Sequence, residues 1–388
     1  MELAPFIKDL AIILAIAGIA MIVCQQLRQP LVLGYLLAGI IIGPYTPPHL
    51  LISDLATIHI IAELGVIFLM FALGIEFSFH KLKRVGAPAS ITGTIEVFFM
   101  LLAGYGMGKV LGWSDMQSLF LGAALSISST TIIVKTLNEL ELKKNAFAQL
   151  IFGILIIEDL LAILLLVGLS TLATTSSSGA ATGLLLAALK LFLTVASWFI
   201  IGYYIIPIFF RTWLKKTSDE ILLVVAVALC LGMATLAATL HYSAALGAFV
   251  MGSILAETNE ANRIEHLIQP LRDIFAAVFF VSVGMLVDPL LIWHHLGLVL
   301  AITAFTIIAK FLFSFIGAWL SRQPLDTSLQ VGMSMAQIGE FSFIIAGLGL
   351  ALNILSDNFY PLIVAVSLIT SFTTPYFIKL SLKLAQRL

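Results

Sequence analysis

The sequence predicts an all-α polytopic membrane protein of thirteen transmembrane helices. Three observations carry that prediction: composition, the spacing of turn and charge signals, and the side on which basic residues fall. Of 388 residues, 61% are hydrophobic and only 11% are charged, with a mean hydropathy of +1.11. Soluble domains carry about 25% charged residues, so almost no chain is left over for one. The net charge of −1 says little, because in a membrane protein the placement of charge matters more than its sum. Cys24 and Cys230 both fall in apolar stretches and read as packing thiols rather than a disulfide or metal pair.

The first helix covers about 5–26, with Lys8 and Asp9 near its start. It is too long for a signal-peptide core and has no small-x-small cleavage site, so it reads as a retained span. Turn and charge signals place the others near 31–44, 58–78, 86–110, 116–137, 145–172, 182–210, 219–240, 243–257, 268–287, 290–320, 326–352 and 358–385. The second and the ninth are short enough to be tilted or incompletely spanning.

Basic residues test the count. With the N-terminus outside, the inner loops and helix ends hold Arg28; Lys81, Lys83 and Arg84; Lys135, Lys143 and Lys144; Arg211, Lys215 and Lys216; Arg263 and Arg272; Arg322; and Lys379, Lys383 and Arg387. These are sixteen of the twenty Lys and Arg; the outer side has Lys8 and Lys109, and Lys190 and Lys310 lie within helices. A wrong count would scramble this asymmetry, so the positive-inside rule supports thirteen spans with N-out and C-in.

An internal repeat follows. LGYLLAG at 33–39 matches LGAFVMG at 246–252, the Gly74 that ends FALG matches the Gly284 that ends SVG, and GAALSISSTTII at 122–133 matches GMSMAQIGEFSF at 332–343. The offsets are 213, 210 and 210. A shift of seven helices is odd, which makes helices 1–6 and 8–13 two inverted repeats joined by a connector helix. Secondary transporters are built this way, with binding at the repeat interface near mid-membrane.

The chemistry sits in the sixth helix, where Glu158 and Asp159 are adjacent in IFGILIIEDLLAILLLVGL. One carboxylate at mid-membrane depth costs about 2.5–3.5 kcal/mol on insertion scales, and a second beside it costs more because like charges repel. A helix entered near Asn145 puts Glu158 about 20 Å deep. Lys310, Glu340, Glu96 and the run Ser126, Ser128, Ser129, Thr130, Thr131 reach similar depth by residue count.

The hydroxyl run and the stretch around Gln337, Ile338 and Gly339 occupy matching repeat positions. They read as interrupted helices that offer backbone groups and half-helix ends to a midplane site. Close helix–helix packing through small residues is the simpler explanation for either alone; two at one offset beside an acid pair favour the site. Asp159 is the candidate ligand for a transported monovalent cation. Burial disfavours a charged carboxylate, so proton and cation compete there, which is an exchange mechanism in itself. Glu158 points about 100° away around the helix, and Lys310 is its candidate charge partner; the alternative for Lys310 is snorkelling to the interface. Glu96 and Glu340 remain open between structural partner and site member.

Acidic residues Glu76, Glu257, Asp273 and Asp288 lie near helix ends, Lys190 reads as snorkelling, and His49, His59, His241, His266, His294 and His295 fall toward loops. No HExxH, CxxC or GxxxxGK[ST] pattern occurs, so a hydrolase or an ATP-driven pump has no support. The protein is expected to be no enzyme, to hold no cofactor and to bind no nucleic acid.

ALSISSTTIIVKTLNEL, the acid pair, LGYLLAGIIIGP and QIGEFSFII resemble the Kef-type branch of the bacterial monovalent cation:proton antiporters, over essentially the whole chain. The resemblance implies an NhaA-like fold. Its core domain would comprise about 86–172 and 290–385, its scaffold or dimerisation domain about 5–78 and 219–287, with a connector at 182–210. It further implies a homodimer in the lipid of a bacterial plasma membrane, elevator-like alternating access, exchange of H⁺ for K⁺ or Na⁺ at Asp159, and pairing of Glu158 with Lys310. Two departures stand out. Kef-type proteins carry Gln-Asp where this chain has Glu-Asp, which moves the site toward the two-carboxylate, charge-moving kind. They also continue into a soluble nucleotide-binding regulatory domain, whereas this chain stops at Leu388 with no Gly-rich dinucleotide fingerprint. The alternatives to an antiporter are a Kef-type ligand-gated potassium efflux channel, which needs a polar pathway but no titrating carboxylate, and a membrane receptor, which leaves the buried charges without a purpose.

Overall fold

The computed structural model describes residues 3–27, 29–46, 52, 55–76, 86–175, 181–213, 217–240, 242–356 and 358–386, and among these every regular element is a helix. In chain order the helices are α1 Leu3–Gln26, α2 Leu31–Ile42, α3 Leu55–Glu76, α4 Ala87–Val110, α5 Asp115–Ser126, α6 Thr130–Glu139, α7 Ala146–Thr175, α8 Ala181–Trp213, α9 Asp219–Thr239, α10 Ala244–Ala256, α11 Ala261–Met285, α12 Pro289–His294, α13 Leu296–Leu320, α14 Leu325–Ser334, α15 Glu340–Ala351 and α16 Phe359–Ala385. Among the described residues, nine helices are long and apolar enough to cross a membrane, and α2, α10 and α15 are shorter apolar helices. Of the residues weighed above, Arg28, His49, Lys81, Lys83, Arg84, Lys215, Lys216, His241 and Arg387 lie outside the described set, as do the side chains of His59 and Lys190.

Local chemistry explains where several elements begin and end. Ser114 caps α5 with a reciprocal box, its hydroxyl accepting from the Gln117 N–H while the Gln117 side chain accepts from the Ser114 N–H. One helix expected over 290–320 is divided at His294 and His295. Asp288 starts the short first piece by accepting from the Leu290 and Leu291 N–H groups at 2.8 and 3.3 Å. The helix expected from residue 268 begins seven residues earlier, at Ala261, and carries Pro270 in its interior. The helices expected over 116–137 and 326–352 are each broken in the middle, into α5 with α6 and α14 with α15.

The chain forms two compact units. The first comprises Met1–Asp54, Val85–Leu166 and Phe280–Leu388. Its apolar cluster joins Ile133 and Leu137 of α6, Ile151 and Leu155 of α7, Val331 of α14 and Ile378 of α16. Helix α2 meets the end of α11 at Gly39 and Gly284. A Cβ on Gly39 would lie 2.1 Å from the Val281 carbonyl oxygen, and one on Gly284 would lie 2.2 Å from the Leu36 oxygen. Lipid tails are as apolar as leucine, so helix association in a bilayer depends on such close backbone packing.

The second unit comprises Leu55–Arg84 and Val167–Phe279. Here α3 meets α10 at Gly74 and Gly252, where added Cβ atoms would lie 2.3 Å from the Phe249 oxygen and 2.2 Å from the Phe71 oxygen. Arg272 of α11 ties to Glu76 at the end of α3, 3.2 Å away. The glycines that match between the sequence repeats thus pack crosswise, Gly39 on Gly284 and Gly252 on Gly74.

Candidate functional site

All the candidate site residues lie in the first unit, around the two broken helices. Helix α5 stops at Ser126 because Ile127 turns extended, at φ −109° and ψ 125°. Helix α6 restarts at Thr130, and Ser129 caps it by accepting from the Ile132 N–H at 3.3 Å. In the other element α14 stops at Ser334, and α15 resumes at Glu340 after Gly339.

The breaks lie against each other. The Gly339 N–H donates to the Ile127 carbonyl at 3.2 Å, and the Gln337 amide donates to the Ser129 carbonyl at 3.3 Å. A Cβ at position 339 would sit 2.4 Å from the Ser129 Cα, so only glycine permits the approach.

A helix broken in an apolar setting leaves carbonyls and N–H groups that need partners. Lys310 donates to the Ser126 carbonyl at 3.0 Å, placing positive charge where a helix C-terminus carries partial negative charge. Ser342 donates to the Ala124 carbonyl. The Ile338 N–H donates to Thr370 at 3.5 Å, and the Ile338 carbonyl accepts from Ser367 at 3.3 Å. At the opposite poles, Glu340 accepts from Ser129 at 2.7 Å and from Thr131 at 3.1 Å. Its carboxylate therefore serves the N-terminal ends of both α6 and α15, where partial positive charge collects.

The adjacent acids of α7 face different neighbours. Glu158 accepts from the Ser128 N–H at 2.8 Å and from the Ser128 hydroxyl at 3.2 Å. Lys310 Nζ stands 3.7 Å from Glu158 but 2.6 Å from Glu96, and all three side chains have 0% exposure. Asp159 is half-buried, and the Thr130 hydroxyl lies 3.3 and 3.4 Å from its two oxygens. The residues thus form two groups: Glu158, Lys310, Glu96 and Ser128 in one, Asp159 with Thr130 in the other. Ser129, Thr131, Gln337, Gly339 and Glu340 make the contacts along the breaks themselves.

Three contributors escaped the sequence reading: Ser342, Ser367 and Thr370. The latter two belong to SLITSFTTP, a hydroxyl-rich run inside an otherwise apolar helix, and the density of such groups was the available signal. Chemically, the site offers hard oxygen ligands suited to a monovalent cation or a proton. Among the described residues no group of three or more His, Cys, Asp or Glu could hold a resident metal.

Comparisons with known proteins place the chain in a family. A K(+) efflux antiporter 5 of Arabidopsis thaliana is 34% identical over 381 residues, covering 96% of this chain and 66% of that protein. The chain thus spans about two thirds of that relative's length. The K(+)/H(+) antiporter subunit KhtU of Bacillus subtilis (strain 168) is 31% identical over 346 residues, covering 87% of this chain and 84% of that one. Among solved structures, the sodium proton antiporter MjNhaP1 from Methanocaldococcus jannaschii superposes with a TM-score of 0.76 at 17% identity, covering 99% of this chain and 100% of the other, which shows a shared fold. The family described as sodium/hydrogen exchanger, transmembrane, matches residues 11–382, and the chain belongs to it.

Proposed function

We propose that this protein exchanges a monovalent cation, K⁺ or Na⁺, for protons by alternating access, with both ions competing for Asp159. The observation that carries this reading is a half-buried carboxylate held by Thr130 at the start of α6, beside two mutually crossed helix breaks. A carboxylate that must hold either a proton or a cation cannot hold both, and that exclusion couples the two fluxes. The relatives' own names, a K(+) efflux antiporter and a K(+)/H(+) antiporter subunit, point the same way. Glu158 acts as a second carboxylate near Lys310, and its charge state sets whether the cycle moves net charge.

The same reading takes the chain as thirteen spans in two inverted repeats, N-terminus outside and C-terminus cytoplasmic. The crosswise glycine contacts favour it: each joins a glycine of one repeat to a glycine of the other, Gly39 to Gly284 and Gly252 to Gly74. We take the core as about 86–172 and 290–385 and the scaffold as about 5–78 and 219–287. By backbone proximity 1–54 groups with the core segments. The protein works as a homodimer in lipid, and a soluble nucleotide-binding domain is the natural regulator for it.

Proton flux in proteoliposomes tests the proposal. Adding K⁺ or Na⁺ outside acid-loaded vesicles should dequench an internal pH dye, and the response should vanish in Asp159→Asn. Robust ion conductance with no pH response to either cation would instead make the protein a channel.

A further inference from the structure

We propose that Glu96 is the resident counter-ion of Lys310, holding the ammonium on the end of the broken helix independently of Glu158. An ammonium at 0% exposure needs a partner carboxylate, and the structure provides two. Glu96 stands at 2.6 Å, within hydrogen-bond range, whereas Glu158 stands at 3.7 Å, outside it. The two acids also differ in what else they have. Ser128 serves both Glu158 oxygens through its N–H and its hydroxyl. Glu96 receives no hydrogen bond from a backbone N–H or a hydroxyl among the described residues. Each carboxylate thus has its own source of support, and for Glu96 that source is Lys310.

Backbone packing makes the short distance possible. One turn before Glu96, the Thr92 Cα lies 3.0 Å from where a Cβ on Gly317 would sit. Helices α4 and α13 therefore run in close contact beside the charged pair. The ammonium spans from Glu96 on α4 to the Ser126 carbonyl on α5, joining three helices at one point. Glu96 is accordingly a positioning residue. It keeps Lys310 compensated without Glu158, so the charge of Glu158 can change during exchange. This consequence rests on the exchange reading above; the pairing itself does not.

A double-mutant cycle on the purified full chain tests the pairing, with Tm as the readout. The singles are Glu96→Gln, Glu158→Gln and Lys310→Met, and each acid variant is also combined with Lys310→Met. Glu96→Gln should lower Tm several-fold more than Glu158→Gln. Adding Lys310→Met should recover much of the first loss and little of the second. Equal coupling of Lys310 to both acids, or stronger coupling to Glu158, overturns the assignment. Should Glu96→Gln fail to fold, Glu96→Asp replaces it, with a smaller loss and the same order of couplings expected. Exchange kinetics supply a second readout: Glu96→Gln should lower kcat while the cation KM stays within about twofold, since Asp159 keeps its own partner. A KM that rises in step with the fall in kcat/KM would mean that Glu96 acts on the cation directly, and would overturn the positioning role. If the wild-type protein exchanges nothing, the exchange reading fails while the Tm couplings still decide the counter-ion.

Discussion

The two broken helices share a backbone plan and divide the chemistry unequally. In α5 and α6 the break is lined by hydroxyls that reach carboxylates on other elements: Ser128 to Glu158, Thr130 to Asp159, Ser129 and Thr131 to Glu340. In α14 and α15 the break is made of Gln337, Ile338 and Gly339, which hold the two breaks together, and Glu340 just beyond it accepts from Ser129 and Thr131. The sequence offset extends the contrast beyond the breaks. Moved by 210 residues, Lys310 falls on Met100, Glu96 on Thr306, and the pair Glu158 and Asp159 on Leu368 and Ile369. Under the proposed repeat these four charged residues have uncharged counterparts, while Glu340 of the second break falls on Thr130. On that reading the shared backbone plan supplies free helix ends, and the side chains that differ between the breaks supply the charge.

The largest expected effect breaks the charged place outright. Asp159→Asn keeps shape and removes the ionisable group, so exchange should fall to the rate of protein-free vesicles while Tm stays near wild type. Cation-dependent proton flux surviving in this variant would remove Asp159 from the site. Nearly as severe should be the two variants that trade the lysine between the equivalent places. Lys310→Ala leaves two buried carboxylates without their ammonium, and breaking a buried pair costs about 3–5 kcal/mol. Met100→Lys puts an ammonium in a position with 0% exposure, whose offset partner for Glu96, Thr306, already donates to the Ile302 carbonyl. Thermal unfolding of both proteins in detergent should show large losses. A well-tolerated Met100→Lys would mean that the two places are chemically interchangeable after all.

Gly339→Ala acts on the other broken helix. The added methyl meets backbone, the Ser129 Cα at 2.4 Å, and forced overpacking of this kind costs about 1–3 kcal/mol. Because the same shift displaces Ser129 and through it Glu340, the exchange rate should drop along with Tm. An unchanged Tm would show that the breaks need not touch this closely.

These contrasts also mark what could be read before the structure. The all-helical membrane character was legible because apolar stretches and basic loops repeat along the whole chain. Glu158 and Asp159 stood out because a charge is costly in hydrocarbon. Asp159 on Thr130 and Glu340 on Ser129 follow from residues already singled out. Less legible was the choice of partner. Glu96 and Glu158 are equally acidic in sequence, and only the packing of α4 on α13 makes Glu96 the nearer of the two to Lys310. The hydroxyl-rich run holding Ser367 and Thr370 was an ambiguous signal, because a membrane helix often uses hydroxyls to satisfy its own carbonyls, as Thr374 does toward Thr370. Tertiary contact alone reveals that Ile338 relies on two of them.

The smallest expected change in rate comes from Glu158→Gln, and it separates charge from structure most cleanly. The amide oxygen can keep the Ser128 N–H, and the amide nitrogen can donate to the Ser128 hydroxyl, so the hydrogen bonds at 2.8 and 3.2 Å have neutral replacements. Stability should therefore fall by no more than about 1 kcal/mol. What changes is charge: one carboxylate is removed beside Asp159 while the cation's own ligand is retained. Exchange should persist at reduced rate with little change in cation KM, but its dependence on voltage should shift. Proteoliposomes clamped with K⁺ and valinomycin and assayed for Na⁺-driven proton flux would show it, as a different response to the same imposed potential in variant and wild type. An identical voltage response would mean that Glu158 carries no charge through the cycle. A loss of cation affinity as deep as in Asp159→Asn would mean that the two adjacent acids form one site, and that the division between them drawn from Ser128 and Thr130 is wrong.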